Sequence, residues 1–265
     1  PACARCGDTL DTAAGDIAAA ASTTASGSFC RACRLAPPPF VRAVAFGIYQ
    51  DRMKAAIHAL KYERLHPAAR GLGRLLGQAI AHLAGQAPAE MLVIPVPLHR
   101  AKFADRGFNQ ARALAEHALG FLRKSHPHWQ LTLAPSTLMR LRATESQAGL
   151  TSRQRRLNVR GAFTVSDRAA VDQKHILLID DIFTTGATAR AAARALIGAG
   201  AATVWVATLA RARRVNEFDG AANFLDEEDT SEFTGNAADA RAFEANIYSS
   251  ELSSRNFSSQ DQPSF

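Results

Sequence analysis

The stretch HILLIDDIFTTGATARAAARALIGAG, residues 175–200, constrains the fold of this chain more than any other. Its first residues are typical of a buried strand, and they lead into Asp180 and Asp181. Successive side chains of a strand point to opposite faces, so one acid would be buried, at a high cost, in the middle of a covered sheet. The two acids therefore predict the carboxyl end of a parallel strand, where open α/β sheets form their ligand crevice.

The turn that follows the acids suits an anion. Residues Thr184–Thr188 would direct backbone N–H groups and a helix N-terminus, with about half a positive charge, toward the same crevice. Gly186 would permit a positive φ or a close approach of the backbone. A phosphate fits this turn, and the nearby carboxylates suit hydroxyl groups or a hydrated magnesium ion, so the stretch predicts a ribose 5-phosphate site. A strand end followed by a threonine-capped helix is the alternative, but it leaves the two acids unexplained.

From residue 41 to about residue 214, strand-like runs alternate with helical ones. Strands are predicted in VRAVAFGIY, MLVIP, HILLID and ATVWVATLA, and helices in DRMKAAIHAL, GRLLGQAIAHLA, NQARALAEHALGFL and TARAAARALI. This alternation predicts an α/β fold, a mainly parallel sheet with helices on both faces. We divide the chain into a cysteine-containing segment at 1–36, an α/β domain at 41–214 and an acidic tail at 215–265 that its polar composition predicts to be disordered.

All four cysteines fall in two CxxC pairs in the first segment: Cys3, Cys6, Cys30 and Cys33. Four thiolates with this spacing can complete a closed tetrahedral site, so the pattern predicts a structural Zn²⁺ ribbon. Two disulfides are the alternative, and they would require an oxidising compartment. No run approaches the roughly 18 apolar residues of a membrane span, and no signal peptide pattern opens the chain. A cytoplasmic location without a membrane span is therefore predicted.

The net charge of +7 is divided unevenly along the chain. Residues 217–265 hold 11 of the 24 acidic groups and only 2 of the 31 basic groups, which leaves the first 216 residues strongly basic. Such a charge favours polyanionic partners such as nucleic acid or phosphorylated ligands. A basic surface without a partner is equally consistent with the charge alone.

Two basic segments are candidates for contacting phosphates. In residues 94–118, a basic loop carrying Arg100, Lys102 and Arg106 would lie at the same sheet edge as the acids and could bind a pyrophosphate. In residues 138–165, six arginines stand against one acid, and they include Arg153, Arg155 and Arg156. This segment suggests a phosphate-facing flap or a nucleic-acid track. Solvated basic surfaces are the alternative in both cases.

The strand, the two acids and the TTGAT turn resemble the 5-phosphoribosyl-1-pyrophosphate (PRPP) motif of type I phosphoribosyltransferases. Together with the CxxC pairs, PVPLH…RGFNQ and R…T…SQ…L…R…N…GAF, they resemble the ComF family over residues 3 to about 211. The resemblance implies that Asp180 and Asp181 hold the ribose hydroxyls. It also implies that the 5-phosphate lies on the residues of the turn, which are Thr184, Thr185, Gly186, Ala187 and Thr188.

The family resemblance further implies PRPP with Mg²⁺, single-stranded DNA and proteins of the DNA-uptake machinery as partners in natural transformation. An active phosphoribosyltransferase that joins a nitrogenous base to ribose 5-phosphate is the alternative, and a PRPP sensor is a third hypothesis. The PRPP motif alone does not separate them, because transfer needs little beyond positioning and charge stabilisation. The sequence identifies neither a base pocket nor a catalytic residue.

Overall fold

The computed structural model describes residues 2–10, 28–62, 66–142, 154, 159 and 161–213. The predicted acidic tail at 215–265 therefore lies outside the described residues, and so do Arg153, Arg155 and Arg156.

Seven strands and six α-helices occur in this part of the chain. The strands are β1 (Ala43–Ile48), β2 (Glu90–Pro95), β3 (Gln130–Leu133), β4 (Leu138–Arg140), β5 (Phe163–Val165), β6 (His175–Phe183) and β7 (Thr203–Arg211). The helices are α1 (Arg31–Leu35), α2 (Asp51–Tyr62), α3 (His66–Ala81), α4 (Arg100–Arg106), α5 (Gln110–Ser125) and α6 (Ala187–Gly198).

Five of the strands form one sheet in the order β1–β7–β6–β2–β3, and every neighbouring pair is parallel. The central strands β6 and β7 carry continuous buried runs at 176–179 and 204–207, as expected where both faces of a strand are covered. The edge strands β1 and β3 expose residues along their length. The positions of the most apolar runs thus agree with their places in the sheet.

Each face of the sheet has its own hydrophobic core. Ile176 and Leu178 of β6 pack in the core that contains Leu196 of α6. Leu177 and Ile179 point the other way, into the core that α3 and α5 cover. This alternation follows the period of two of a strand. The predicted fold class, a mainly parallel sheet with helices on both faces, is confirmed.

The strand order creates a switch point between β2 and β6. From β2 the chain passes through α4 and α5 to β3 on one side, whereas from β6 it passes through α6 to β7 on the other. The connections leave the carboxyl ends of β2 and β6 in opposite directions, and open α/β sheets form their ligand crevice at such a point. The two acids of β6 lie at this position.

The segment predicted as a basic loop is partly helical, which corrects the sequence analysis. Arg100–Arg106 form α4, whose N-cap His99 accepts a hydrogen bond from the Ala101 N–H through Nδ1 at 3.3 Å. Gly107, with φ of 78°, ends the helix, and its N–H donates to the Phe103 carbonyl at 2.8 Å. Strand β3 and the antiparallel hairpin β4–β5 are further elements that the sequence analysis did not predict.

The amino-terminal segment packs directly on the large sheet. The Ala43 N–H at the start of β1 donates to the Arg5 carbonyl at 2.7 Å, and all four cysteine side chains belong to the core beneath α6. Among the described helices, none is both long enough and apolar enough to cross a lipid bilayer.

Candidate functional site

Asp180 and Asp181 lie where β6 loses one of its two neighbours. The β2 pairing ends with Pro95 opposite Ile179, whereas β7 continues and places Thr208 opposite Asp180. The acids therefore lie at the switch point between the diverging chains. Asp181 is buried and Asp180 is half-buried.

Asp181 is held by groups from two other elements. Lys61 of α2 places its Nζ 2.9 Å from Asp181 Oδ2. Gln110, the first residue of α5, donates through Nε2 to the same oxygen at 3.4 Å. Asp181 Oδ1 accepts from the Ile182 N–H at 2.8 Å. Neither Lys61 nor Gln110 was identified by the sequence analysis, because each lies far from the acid motif along the chain.

The surroundings shift the pKa values of the two acids in opposite directions. Burial raises the pKa of Asp180 well above its usual range, and the negative charge of Asp181 raises it further. Burial also acts to raise the pKa of Asp181, but the Lys61 charge and hydrogen bond outweigh it, and the pKa lies below its ordinary value. Asp181 is thus the carboxylate of the pair, and Asp180 is the acid that retains a proton more readily.

The turn after the acids has the geometry of an anion site. Gly186 has φ of 73° and ψ of 13°, in the left-handed region, and it is the N-cap of the 12-residue helix α6. A Cβ on Gly186 would come within 2.6 Å of the Phe183 ring, so both the backbone conformation and the space require glycine. Gly186 itself makes no side-chain cap, and the N-terminus of an α-helix favours an anion through its N–H groups and its dipole.

The other residues of the predicted turn lie beside Gly186. Thr184, Thr185 and Thr188 are half-buried, and Ala187 is buried as the first residue of α6. The Ala187 N–H donates to Thr185 Oγ1 at 3.4 Å. The predicted motif, from Asp180 to Thr188, thus occupies the end of β6, the turn and the first residues of α6.

Of the three basic residues predicted on the pyrophosphate side, Arg106 is joined to the acids. Its Nη1 donates to Gln110 Oε1 at 3.1 Å, and Gln110 in turn contacts Asp181. The charge of Arg106 also contributes to the lowered pKa of Asp181. Arg100 and Lys102 lie earlier on α4, where both are exposed.

A further arginine faces the acid pair from the hairpin. Arg140, the last residue of β4, lies with its guanidinium 5.5 Å from the centre of the Phe163 ring. Burial lowers the pKa of Arg140, and the negative charge of Asp180 opposes that shift. Arg140 therefore supplies positive charge on the side of Asp180, as Lys61 does on the side of Asp181. The sequence analysis saw it only as one of six arginines.

The four cysteines form a separate cluster that fits a tetrahedral metal ion. Their sulfur atoms all lie within 4.8 Å of one another, all four residues are buried, and none forms a disulfide. At a Zn–S distance of about 2.3 Å, the corners of a tetrahedron are about 3.8 Å apart. The Cys6 and Cys30 sulfur atoms are 3.7 Å apart, so four thiolates could hold a metal such as Zn²⁺ here. This geometry favours the ribbon over the alternative of two disulfides.

Comparison with known proteins identifies the family of the chain. Residues 104–236 match the family model described as phosphoribosyl transferase domain. The DNA utilization protein YhgH of Escherichia coli O157:H7 is 34% identical over 184 residues, which span 69% of this chain and 77% of that protein. The chain belongs to the ComF family of phosphoribosyltransferase-like proteins.

Two relatives of this ComF-family chain carry competence names. Competence protein F of Haemophilus influenzae is 28% identical over 186 residues, covering 69% of this chain and 78% of that protein. Competence protein ComFC of Bacillus subtilis is 37% identical over 121 residues, covering 45% of this chain and 44% of that protein.

Proposed function

We propose that this ComF-family protein binds PRPP in the crevice between β2 and β6 and serves in the handling of imported DNA. The observation that carries the PRPP assignment is the position of the acid pair beside the Gly186 turn. Two carboxyl groups at the end of β6 and the glycine-capped N-terminus of α6 follow one another along the chain, and groups of these kinds suit hydroxyls and an anion respectively. A sugar phosphate is the ligand class that uses both.

In the proposed complex, the 5-phosphate accepts hydrogen bonds from N–H groups of the turn at 184–188. The ribose hydroxyls lie at Asp180 and Asp181. Asp181, kept ionised by Lys61, accepts from one hydroxyl, and Asp180 accepts from the other or donates to it when protonated. Each acid therefore has a separate role in holding the sugar.

The pyrophosphate would extend from the ribose toward α4. Arg106 is the group nearest to the acids on that side, through Gln110, and Arg100 and Lys102 are exposed on the same helix. Guanidinium groups match the geometry of phosphate oxygens. Mg²⁺ would enter bound to the pyrophosphate, which is its usual mode in phosphate sites.

The proposed link to DNA rests on the relatives and on charge. Proteins named for DNA utilization and competence match about two thirds of this chain. We propose that Arg153, Arg155 and Arg156 contact the phosphates of single-stranded DNA, and that the protein acts in the cytoplasm with proteins of the uptake machinery. Neutralising backbone phosphates with arginine is the general basis of such binding.

The test combines binding and turnover. Purified protein is titrated with Mg²⁺–PRPP by calorimetry, and then incubated with PRPP, Mg²⁺ and a panel of nitrogenous bases while pyrophosphate release is followed. We expect PRPP binding without release. Release with any base would move the assignment to an active phosphoribosyltransferase, and absence of PRPP binding would refute the proposal. The double variant Asp180→Asn, Asp181→Asn is the matched control for both assays.

A further inference from the structure

Arg211 connects the cysteine cluster to the large sheet. It is the last residue of β7 and is only 9% exposed. Its Nη1 donates to the carbonyl of Cys6, and its Nη2 lies 3.2 Å from Asp8 Oδ1 and 3.6 Å from the Cys6 sulfur. Both arms of the guanidinium thus contact residues of the first CxxC loop. Arg211 and Cys6 are 205 positions apart in the chain.

The flat face of the same guanidinium lies on Phe183. The Arg211 Cζ is 4.7 Å from the centre of the Phe183 ring, within the range of a cation–π contact. Phe183 is the last residue of β6, and its ring fills the space into which a Cβ of Gly186 would project, 2.6 Å from the nearest ring atom. One aromatic ring therefore contacts both the arginine of the cysteine cluster and the backbone of the turn.

Other contacts also join the segment after the cysteines to the region of the turn. Arg190 of α6 donates through Nη1 to the Ala36 carbonyl at 2.9 Å, just after the second CxxC pair. The Phe40 ring meets Phe183 edge to face, with centroids 6.1 Å apart. The segment that follows the cysteines thus also touches the helix that begins at the turn.

Because of these contacts, loss of the metal would change the packing around the 184–188 turn. Four buried thiols within 4.8 Å of one another are held together by the ion that they bind, and binding and folding of such a loop are one event. When the loop opens, Arg211 loses the Cys6 carbonyl and Asp8, and a buried guanidinium does not remain in place without partners. Phe183 then loses the group that covers it.

We propose that metal binding at the four cysteines and sugar-phosphate binding at the 184–188 turn are coupled, with Arg211 and Phe183 as the positioning residues between them. This inference rests on the proposed PRPP function. Coupling between two binding sites is reciprocal, so a ligand at the turn should hold the metal more tightly by the same factor by which the metal favours the ligand.

The experiment measures the equilibrium distribution of Zn²⁺ between the full chain and a colorimetric chelator of known affinity, with and without saturating ribose 5-phosphate or Mg²⁺–PRPP. Wild type is expected to bind the metal about five- to tenfold more tightly with either ligand. Magnesium pyrophosphate without the sugar controls for chelation by the ligand itself. Calorimetry on the same sample determines whether PRPP binds.

Two variants locate the coupling. Arg211→Lys keeps the charge near Asp8 but loses the second arm and the stacked plane, and it should remove the ligand effect on metal affinity. Arg213→Lys, two residues further along and exposed, should keep it. If wild type binds PRPP but has the same Zn²⁺ affinity with and without ligand, the coupling is refuted and the PRPP function stands. If wild type does not bind PRPP, both fail.

Discussion

Lys61 Nζ lies 2.9 Å from Asp181 Oδ2, and this ion pair makes the two acids of β6 unequal. The same pair raises the pKa of Lys61, although burial alone would lower it. Asp181 and Lys61 thus stabilise each other's charge in the crevice, while the pKa of Asp180 rises. The proton therefore binds more readily at Asp180 than at Asp181, so the two acids can offer a donor and an acceptor to neighbouring hydroxyls.

The first prediction concerns stability. Asp181→Asn leaves the ammonium of Lys61 without its carboxylate, and we expect a loss of about 3 kcal/mol in the free energy of unfolding at neutral pH. Asp180→Asn removes an acid whose pKa is raised in the fold by burial and by the charge of Asp181, so we expect a smaller loss than for Asp181→Asn, or a gain. Thermal melts of the two variants at pH 7 make the comparison, and equal destabilisation would contradict the unequal roles.

The pH dependence has opposite signs for the two acids. A lowered pKa in the folded state means that the contribution of Asp181 is present above its unfolded pKa and is lost as pH falls through the folded value. A raised pKa means that Asp180 costs stability as pH rises from its unfolded value of about 3.9 toward the folded one. The stability of Asp180→Asn relative to wild type should therefore increase as pH rises from about 4, whereas the relative stability of Asp181→Asn should not.

The second prediction concerns PRPP affinity. Replacing both acids by asparagine removes the charge-assisted acceptor of Asp181, worth about 1.5 to 3 kcal/mol, and changes the donor and acceptor atoms at Asp180, so the affinity should fall at least about tenfold. Asp167→Asn is the control, because this exposed acid caps the Ala169 N–H at 2.9 Å before β6 begins. Unchanged PRPP affinity in the double variant, measured by calorimetry, would show that the acids do not bind the ligand and that the motif is a strand end followed by a capped helix.

The third prediction compares two glycines with positive φ, one beside the Phe183 ring and one with open space around it. Gly186→Ala forces a Cβ to within 2.6 Å of the Phe183 ring at a φ of 73°, so the turn must move, and PRPP affinity should fall about tenfold or more. Gly85 has a similar φ of 80° but open space around its Cβ position. Gly85→Ala should cost only about 1 kcal/mol of stability and leave PRPP affinity unchanged. Equal effects of the two variants on binding would show that strain alone is responsible.

Most of the strands and helices that have a clear hydrophobic period or a recognisable motif could be predicted from the sequence. The runs in β6 and β7 are continuous because both faces are buried, and α5 begins at the expected place because Asn109 caps it through Oδ1, 2.9 Å from the Ala111 N–H. Strands β3, β4 and β5 have only three or four residues, too few to display a period. Helix α4 lacks a buried face, so its sequence resembles a loop.

The partners of the site residues could not be predicted because they depend on tertiary contacts. Gln110 is 71 positions from Asp181, and Arg211 is 205 positions from Cys6. Nothing in a local pattern distinguishes such residues from others of their type on the surface. The motif residues were recognisable because strand, acids, turn and helix are consecutive in the chain.

The fourth prediction concerns the metal. Elemental analysis should find about one Zn²⁺ per chain. Cys3→Ser or Cys33→Ser should unfold residues 1–36 while the large sheet keeps its fold. The reason is that metal binding contributes roughly 10 to 16 kcal/mol in isolated zinc fingers, which is more than the other contacts of so small a segment can replace. Limited proteolysis with mass spectrometry would locate the unfolded part. Protein without metal, or Cys–Cys bonds under reducing conditions, would contradict the ribbon.

The last prediction separates DNA binding from PRPP binding. Replacing Arg153, Arg155 and Arg156 by alanine should weaken single-stranded DNA binding and reduce the slope of log K against log salt by about 0.7 for each lost phosphate contact. PRPP affinity should fall less, since the proposed sugar-phosphate contacts lie at the acids and the turn.

The double asparagine variant of Asp180 and Asp181 is the reciprocal control, and it should leave the DNA salt slope unchanged. Because PRPP is itself an anion, both measurements are made over the same salt series, so that general screening is common to them. If the arginine variant retains wild-type DNA affinity and salt slope, residues 153–156 are not the DNA contact, and the exposed arginine and lysine of α4, Arg100 and Lys102, become the next surface to substitute.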